Sequence, residues 1–494
     1  MRGVIGKQLT EQEQFEPKMT RPHNAQAWWR RIFVRLDRLC VLAQTSIMNS
    51  NVNTLASELT LPCGAVIPNR FTKAPMEEML STFGGGKPND DVYRLYKAWA
   101  DGGWGLIITG NVAVDRRYIG MFFDIVMPDA GNENVEAEYL TEFIKYARAT
   151  KGFDVGDARA DSSPPDGRRP LAVVQLVHCG RQSMRGSFRF PWKPSVAPSA
   201  VPVQVSKDKP GMIDAIMFGT PHALTFDEIQ TVIQRFIRAA VFMEKAGFDG
   251  IELHAAHGYL LSSFLSPKTN LRDDEYGGDA ERRFRIIREI IEGIREKVSP
   301  KFVVGIKLNS SDYIHGGQTE DDALQNVKWL AETNMVDFVE VSGGSYESPA
   351  MAGTASERTK QREGFFVGFA QRAHGILPPS SQMRILVTGG FHSREGIRNA
   401  VESGVADAVG IGRPASIEPA LPRKLLDNNI PDEDAKAETW TPPPPPSFMP
   451  KVAAIGFGWS TMWHSAQLHL IAHGKPTDPK ASMKDFFFNL HYWK

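Results

Sequence analysis

Short apolar segments alternate with longer amphipathic segments between residues 70 and 428. Eight short segments are rich in β-branched residues and are predicted to be strands: RFTKAPM (70–76), GLIITGNV (105–112), LAVVQLVH (171–178), GIELHAAH (250–257), FVVGIKLN (302–309), FVEVSG (338–343), RILVTGG (384–390) and AVGIGR (408–413). Each is followed by a stretch of helical periodicity. The clearest is TFDEIQTVIQRFIRAAVFMEKAG, where Thr225 and Glu228 form a capping-box pattern and Gly247 closes the helix.

This alternation limits the fold to a small set. Strands that are apolar on both faces and are each followed by a helix require a parallel sheet covered by helices, and eight such units close into a barrel. The pattern therefore predicts an α/β fold, a (β/α)8 TIM barrel over residues 55–430. A small hairpin is expected before the barrel and an inserted subdomain after the fourth strand. A doubly wound open sheet is the alternative.

The two ends of the chain differ from the barrel in composition. Residues 1–54 are predicted to be a disordered extension, in which residues 28–43 alternate apolar and arginine residues and could form a targeting or membrane-surface helix. Residues 431–494 are predicted to be a proline-rich linker and an aromatic tail that packs on the barrel or on a neighbouring subunit. The tail sequence VAAIGFGWSTMW imitates a nucleotide-binding strand and Gly-x-Gly, but only 36 residues follow Gly458, so we attribute the match to chance.

Composition excludes several classes of function. The chain has 42% hydrophobic residues, 23% charged residues and a formal net charge of zero, which favours no nucleic-acid partner. Its three widely separated cysteines suit neither a disulfide framework nor a zinc or iron-sulfur site. No apolar run approaches the roughly 20 residues of a membrane span. We expect a cytoplasmic protein without integral membrane association, with mitochondrial import as the alternative and homo-oligomerisation left open.

Polar side chains collect where the predicted strands end. In chain order they are Glu77, Asn111, Gln175 with His178, His254 with His257, Lys307, Ser342, Gly389 with Gly390, and Gly412 with Arg413. The carboxyl ends of the strands form the catalytic face of such barrels, so this set predicts a ligand site. The glycines of TGGF and GIGRP, with Arg413, predict a phosphate-bearing ligand after strands 7 and 8. Tight turns between helices and strands are the alternative explanation of the glycines.

Several longer motifs together resemble one family. NRFTKAPM, LVHCGRQS, HAAHGYLLSSFLSPKTNLRDDEYGG, KLNSSDY and GIGRP are similar to the Old Yellow Enzyme family of FMN-dependent ene-reductases and NADH:flavin oxidoreductases. The resemblance covers roughly residues 55–428. It implies a barrel that holds FMN, takes hydride from NADPH or NADH and passes it to a small unsaturated substrate. The expected acceptor is the activated C=C bond of an α,β-unsaturated carbonyl or a quinone-like compound, within fungal-type secondary metabolism.

The resemblance also assigns residues to the cofactor. It implies that the loop after the first strand runs beside the flavin, that Gln175 bonds the pyrimidine edge, and that Lys307 stabilises the reduced ring. The residues expected to bind FMN are Ala74, Pro75, Met76, Glu77, Asn111, Gln175, Lys307, Gly389, Gly390, Gly412 and Arg413. No metal site is expected, because the histidine pair lacks an obvious third ligand.

The cluster His254, His257 and Tyr259 suits the chemistry that the family implies. Hydride addition to an α,β-unsaturated carbonyl builds negative charge on the carbonyl oxygen, and two imidazole donors aimed at that oxygen would lower the barrier. Tyr259 resembles the family's proton donor to the α-carbon. A satisfied core histidine is the simpler explanation for either ring alone.

Two departures from the family keep alternatives open. Glu77 stands where several relatives have Cys or Thr, and Met79 where one bacterial branch has Tyr. A carboxylate at position 77 would disfavour the reduced flavin, so we expect Glu77 to be protonated or turned away, or the flavin potential to be low. The alternatives are a flavin-free barrel enzyme that acts on a phosphorylated metabolite through Lys307, and a flavin-binding protein without turnover. The polar insertion at residues 153–170 is expected to be a surface loop.

Overall fold

The structure is a computed structural model that describes residues 54–156, 168–186, 189–190, 192–205, 211–348, 363–447 and 453–481. The predictions for residues 1–53, and for most of the insertion at 153–170, lie outside these ranges. Two short antiparallel strands, β1 (Leu59–Thr60) and β2 (Val66–Ile67), form the hairpin expected before the barrel.

Eight parallel strands follow, interleaved with helices. The strands are β3 (Phe71–Lys73), β4 (Leu106–Ala113), β6 (Leu171–Val177), β9 (Gly250–Ala255), β10 (Val303–Asn309), β11 (Phe338–Ser342), β12 (Arg384–Thr388) and β13 (Ala408–Ile411). Each pairs with the next, and β3 pairs with both β4 and β13, which closes the barrel. A two-residue strand, β5 (Ile125–Val126), adds to β4. The predicted TIM barrel and all eight predicted strands are confirmed.

The longer helices cover the outside of the barrel. They are α1 (Asp90–Asp101), α2 (Glu133–Thr150), α4 (Phe226–Lys245), α6 (Ala280–Arg295), α7 (Glu320–Thr333), α8 (Val367–Ile376) and α9 (Arg394–Glu402), with the short α10 (Leu421–Leu425) after β13. The capping box of α4 is present: Thr225 accepts from the Glu228 N–H, and the Glu228 carboxylate accepts from the Thr225 N–H. Gly247, just after α4, has a φ of +85°, a backbone conformation that glycine adopts without strain.

The inside of the barrel changes from apolar to polar along its axis. Its amino-terminal end is filled by buried side chains from six strands, Leu106, Ile108, Val173, Val303, Phe338, Leu386 and Ala408, with Leu59, Leu61 and Ile67 of the hairpin packed beneath them. One layer higher, inward positions carry Gln175, Glu252, Lys307 and Glu340, all of them buried. Because the hairpin packs against the lower end, the polar end is where a ligand site is expected.

Two segments between strands and helices are enlarged. After β9 the chain forms the short helix α5 (Leu260–Leu265) and a loop to residue 279, which is the insertion expected after the fourth strand. The larger insertion, which the sequence did not indicate, follows β6. It contains α3 (Met212–Met217) and a parallel pair, β7 (Val196–Ala197) and β8 (His222–Ala223).

The region expected to be an aromatic tail contains a 20-residue helix, α11 (Ala453–Ala472). It packs against α1 and against the 3-10 turn Arg413–Ser416, and buries Trp459 and Trp463. The Gly-x-Gly sequence therefore lies in a helix, which confirms that it is no nucleotide-binding turn. Among the described residues, no helix is long and apolar enough to cross a membrane.

Candidate active site

Strand register brings the predicted polar residues to one end of the barrel. Asn111 of β4 lies opposite Gln175 of β6, and Lys307 of β10 lies opposite both His254 of β9 and Glu340 of β11. Neighbours in register are in contact across parallel strands. The histidine cluster and Lys307, which the sequence placed about fifty residues apart, therefore belong to one site.

The three catalytic candidates form a compact aromatic cluster. The His254 ring centroid lies 5.0 Å from that of His257 and 4.7 Å from that of Tyr259. His257 has a φ of +62°, which directs the chain sharply from the strand into the turn, and its N–H donates to Asn309 at 3.1 Å. This strained turn is held by neighbouring strands, which is typical of a functional site.

Both imidazoles are neutral. Burial lowers the pKa of His254 well below its usual range, and the adjacent titratable ring of His257 and the Lys307 ammonium lower it further. Burial and Lys307 likewise lower the pKa of His257. The His254 Nδ1 accepts from the Ala256 N–H at 3.3 Å, so its proton resides on Nε2, where it can be donated to a ligand. The His257 Nε2 is engaged with the Ser342 hydroxyl at 2.9 Å, which leaves Nδ1 for a ligand.

Tyr259 retains its phenolic proton. Its side chain is only 5% exposed, and burial raises its pKa well above the usual value. Its hydroxyl lies 3.1 Å from the hydroxyl of Tyr346, which lies on the loop after β11. That loop is fixed by a buried ion pair between Glu347 and Arg181 at 2.7 Å. Two phenols thus share one hydrogen bond beside the imidazoles, and Tyr346 is a residue that the sequence did not single out.

Glu77 is in its neutral, protonated form. Its Oε2 accepts from the Asn111 amide at 3.0 Å, and it shares a proton with the Asp124 carboxyl. Burial and the charge of Asp124 raise the pKa of Glu77 well above the normal range. Asp124 also accepts from the N–H groups of Gly120 and Met121, at 2.8 and 3.1 Å, which stabilise its charge. Protonation at position 77 is one of the outcomes expected from the sequence.

Lys307 belongs to a buried charge network. Its ammonium donates to Glu340 at 2.7 Å, while the Gln175 amide donates to Glu252 at 2.7 Å. Burial raises the pKa of Glu252 well above its usual value, and the charge of Glu340 adds to the shift. Burial also opposes ionisation of Glu340, but the adjacent Lys307 ammonium outweighs it and lowers the pKa of this carboxyl. Glu252 is therefore the neutral acid that donates to the Glu340 carboxylate.

The predicted phosphate end lies at the loops after β12 and β13. Gly389 and Gly390 have φ values of +145° and +81°, and a Cβ on either would meet the rings of Phe365 or Phe366 at 2.9 to 3.0 Å. A Cβ added to Gly412 would lie 3.9 Å from the Cγ of Met76. Among the described residues no carboxylate pairs with the exposed Arg413. A guanidinium without an anion beside glycine-rich turns fits a phosphate group.

The remaining predicted residues lie beside these groups. Ala74 is buried and donates its N–H to Ile411 at 3.0 Å, which leaves the half-buried Pro75 and Met76 above the last barrel pairing. Gln175 lies one layer lower, with its amide nitrogen committed to Glu252. His178, which follows β6, stacks on Tyr118 with the ring centroids 4.7 Å apart, and its buried Nε2 has no hydrogen-bond partner among the described residues. Among the described residues no cluster of three or more metal-ligating groups occurs.

Comparison with known proteins decides the family. A family model described as the NADH:flavin oxidoreductase / NADH oxidase family matches residues 168–433. The chain belongs to this family. It is 36% identical over 385 residues to NADH-dependent flavin oxidoreductase iliE of Hypocrea jecorina, covering 76% of this chain and 90% of that protein. It is 32% identical over 436 residues to NADH-dependent flavin oxidoreductase iccE of Talaromyces variabilis, and the match covers 85% of this chain and 98% of that protein.

Solved structures agree on the fold. The Old Yellow Enzyme homologue of Zymomonas mobilis superposes with a TM-score of 0.57 at 22% identity, covering 78% of this chain and 97% of that one. The family model and the iliE relative confirm the family that the sequence resembles, and this structure confirms the fold. This NADH:flavin oxidoreductase family member is an NAD(P)H-dependent enzyme whose cofactor is FMN. The flavin-free barrel enzyme and the flavoprotein without turnover are set aside.

The donor set fits that cofactor. Arg413 with the glycines would hold the phosphate, the loop Pro75–Glu77 and Asn111 would lie along the ring, and Lys307 would provide a fixed cation near it. FMN, when bound, accepts hydride from a nicotinamide and gives it to an acceptor. The protein supplies binding, orientation and charge.

Proposed function

We propose that the enzyme reduces the activated C=C bond of an α,β-unsaturated carbonyl compound, or a quinone-like acceptor, with hydride that NAD(P)H supplies through FMN. The observation that carries this proposal is the cluster of two neutral imidazoles and one protonated phenol at the mouth of the barrel. Each of the three groups can give a hydrogen bond or a proton at neutral pH.

The imidazoles suit the carbonyl oxygen of such an acceptor. As hydride reaches the β-carbon, electron density moves to the carbonyl oxygen, where the His254 Nε2–H can donate a hydrogen bond. His257 can donate from Nδ1 when Ser342 donates to its Nε2. One oxyanion donor contributes roughly 3 to 4 kcal/mol to the barrier. Because both rings are neutral, they donate hydrogen bonds without giving up a proton.

Tyr259 suits the second step. The enolate formed by hydride addition takes a proton at its α-carbon. The Tyr259 hydroxyl carries a proton at neutral pH, since burial raises its pKa, and can give that proton to the strongly basic enolate. Tyr346 lies within hydrogen-bond distance and can return a proton to Tyr259 or stabilise its anion. A quinone needs no proton on carbon during its reduction, so Tyr259 should matter less for that acceptor.

The test compares Tyr259→Phe with the wild-type enzyme in anaerobic stopped-flow experiments. We expect bleaching of bound FMN by NADH to be unchanged, while reoxidation by 2-cyclohexenone slows by about 100-fold to 10,000-fold. Reoxidation by a benzoquinone should remain within about threefold. Tyr313→Phe is the matched control, because Tyr313 is an exposed tyrosine on the loop after β10. Unchanged reoxidation by the enone would refute the role of Tyr259.

A further inference from the structure

The C-terminal helix α11 contacts both loops that carry the predicted flavin ligands. Neither the family match, which ends at residue 433, nor the sequence pattern assigns this helix a role. We propose that α11 is a component of the FMN site that fixes the ring-side loop after β3 and the phosphate-side turn after β13, with His464 as the positioning residue of that turn.

The first contact is with the loop after β3. The Ser465 hydroxyl donates to the carbonyl of Glu77 at 2.7 Å, and the His469 Nε2 lies 3.1 Å from the carbonyl of Met79. Trp459 and Trp463 pack on the Met79 side chain. Met79 has a φ of +56°, which is unfavourable for a side chain with a Cβ, so this loop conformation depends on outside support. The helix provides that support directly beside Glu77.

The second contact is with the turn Arg413–Ser416. The Ser416 hydroxyl donates to the carbonyl of Arg413 at 2.7 Å, and it lies 2.8 Å from the His464 Nδ1. Because the one hydroxyl proton is used on Arg413, the His464 Nδ1–H must donate to the Ser416 oxygen. Burial and the charge of Arg413 lower the pKa of His464 to about 3, so the ring stays neutral in this role. His464 thus holds the turn that presents Arg413 to a phosphate.

Comparison of FMN with riboflavin separates this role from general stability, because riboflavin lacks the phosphate. The measurement is the fluorescence titration of full-length apoprotein with each ligand. For His464→Ala we expect FMN affinity to fall about fivefold, the effect of one lost buried hydrogen bond, while riboflavin affinity changes less than about twofold. For Ser465→Ala, which acts on the ring side, both affinities should fall by a similar factor of about threefold.

Conservative variants guard against a loss of folding. His464→Asn places an amide N–H near the position of Nδ1 and should restore the FMN to riboflavin ratio, whereas His464→Gln should not. His473→Ala, one residue after the end of the same helix and near Asp91, is the matched control and should change neither affinity. Equal losses for both ligands in His464→Ala, or no loss in either, would overturn the proposal. Failure of the wild-type apoprotein to bind FMN would instead overturn the assignment of the cofactor.

Discussion

Replacement of Glu340 by Gln tests the charge network inside the barrel. The Lys307 and Glu340 side chains are 4% and 0% exposed and their charged atoms lie 2.7 Å apart. Removal of one partner from a buried pair ordinarily costs roughly 3 to 5 kcal/mol, because the remaining charge is left uncompensated. Here a second carboxyl is present, since Glu252 is hydrogen-bonded to Glu340 and is held neutral partly by its charge.

We therefore expect Glu252 to ionise in Glu340→Gln and to replace the missing charge. The single variant should then lose only about 1 to 2 kcal/mol, the size of a hydrogen-bond rearrangement. Glu252→Gln, which keeps Glu340 charged, should lose about 1 kcal/mol. The double variant leaves Lys307 without a carboxylate and should lose roughly 3 to 5 kcal/mol. The amount by which the loss of unfolding free energy in the double variant exceeds the sum of the two single losses measures the compensation.

The assay is urea unfolding of the FMN-loaded proteins at neutral pH and one fixed FMN concentration, because bound ligand adds to stability. Glu332→Gln, in a half-exposed pair with Lys328 at 3.9 Å, is the control and should stay within about 0.5 kcal/mol of wild type. Additive losses would refute the compensation by Glu252. So would a single Glu340→Gln loss as large as that of the double variant.

Two further predictions concern charge beside the cofactor. The folded-state pKa of Glu77 is raised, so its contribution to stability is fully present below the ordinary value of 4.5 and is lost as pH rises through the folded pKa. Glu77→Gln should remove this decline, which thermal melts between about pH 5 and pH 8 would detect; an unchanged pH profile would contradict a neutral Glu77. Lys307→Met should lower the midpoint potential of bound FMN, measured by anaerobic dye titration with Lys328→Met as control. A tenfold change in the oxidised to reduced ratio corresponds to about 30 mV for this two-electron couple, and an unchanged potential would exclude Lys307 from the ring's surroundings.

The barrel could be predicted from the sequence because its strands are buried on both faces. Segments such as FVVGIKLN and LAVVQLVH are mostly apolar, with polar residues only toward their carboxyl ends, and each observed strand begins and ends within three residues of its predicted limits. The cluster of His254, His257 and Tyr259 was also predictable, because residues close in sequence at the end of one strand must share the barrel mouth. Lys307 could be assigned to the same site because it lies near the end of the fifth predicted strand, and all eight strands end at the same face of the barrel.

The buried carboxyls of Glu252 and Glu340 were not predicted, although the sequence contains a signal for them. Glu252 and Glu340 lie two residues before His254 and Ser342, and the alternation of strands places them on the same inward face one layer lower. This signal was available in the sequence. Asp124 gave none, because its approach to Glu77 depends on how the loop before β5 folds. The protonation of Glu77 therefore depends on a tertiary contact that the sequence does not show.

The role of α11 could not be predicted for a different reason. The polyproline stretch at 442–446 separates it from the barrel, and no periodicity in a segment apolar on all sides shows which surface it covers. The bonds from Ser465 to Glu77 and from His464 to Ser416 are among the contacts that reveal that the helix returns to the site. Long-range contacts of this kind depend on tertiary packing.

The most direct test of the proposed chemistry is to locate the two hydrogens added to an enone. The FMN-loaded enzyme would be supplied with unlabelled NADH and a 2-substituted cyclohexenone in deuterium oxide, and the product analysed by NMR. We predict solvent deuterium at the α-carbon, introduced on one face only, and protium from NADH at the β-carbon when turnover is faster than exchange with the solvent. In the Tyr259→Phe product the α-label should no longer be confined to one face. Protium at the α-carbon, or an enone that is not reduced while bound FMN is bleached by NADH, would contradict the proposed chemistry.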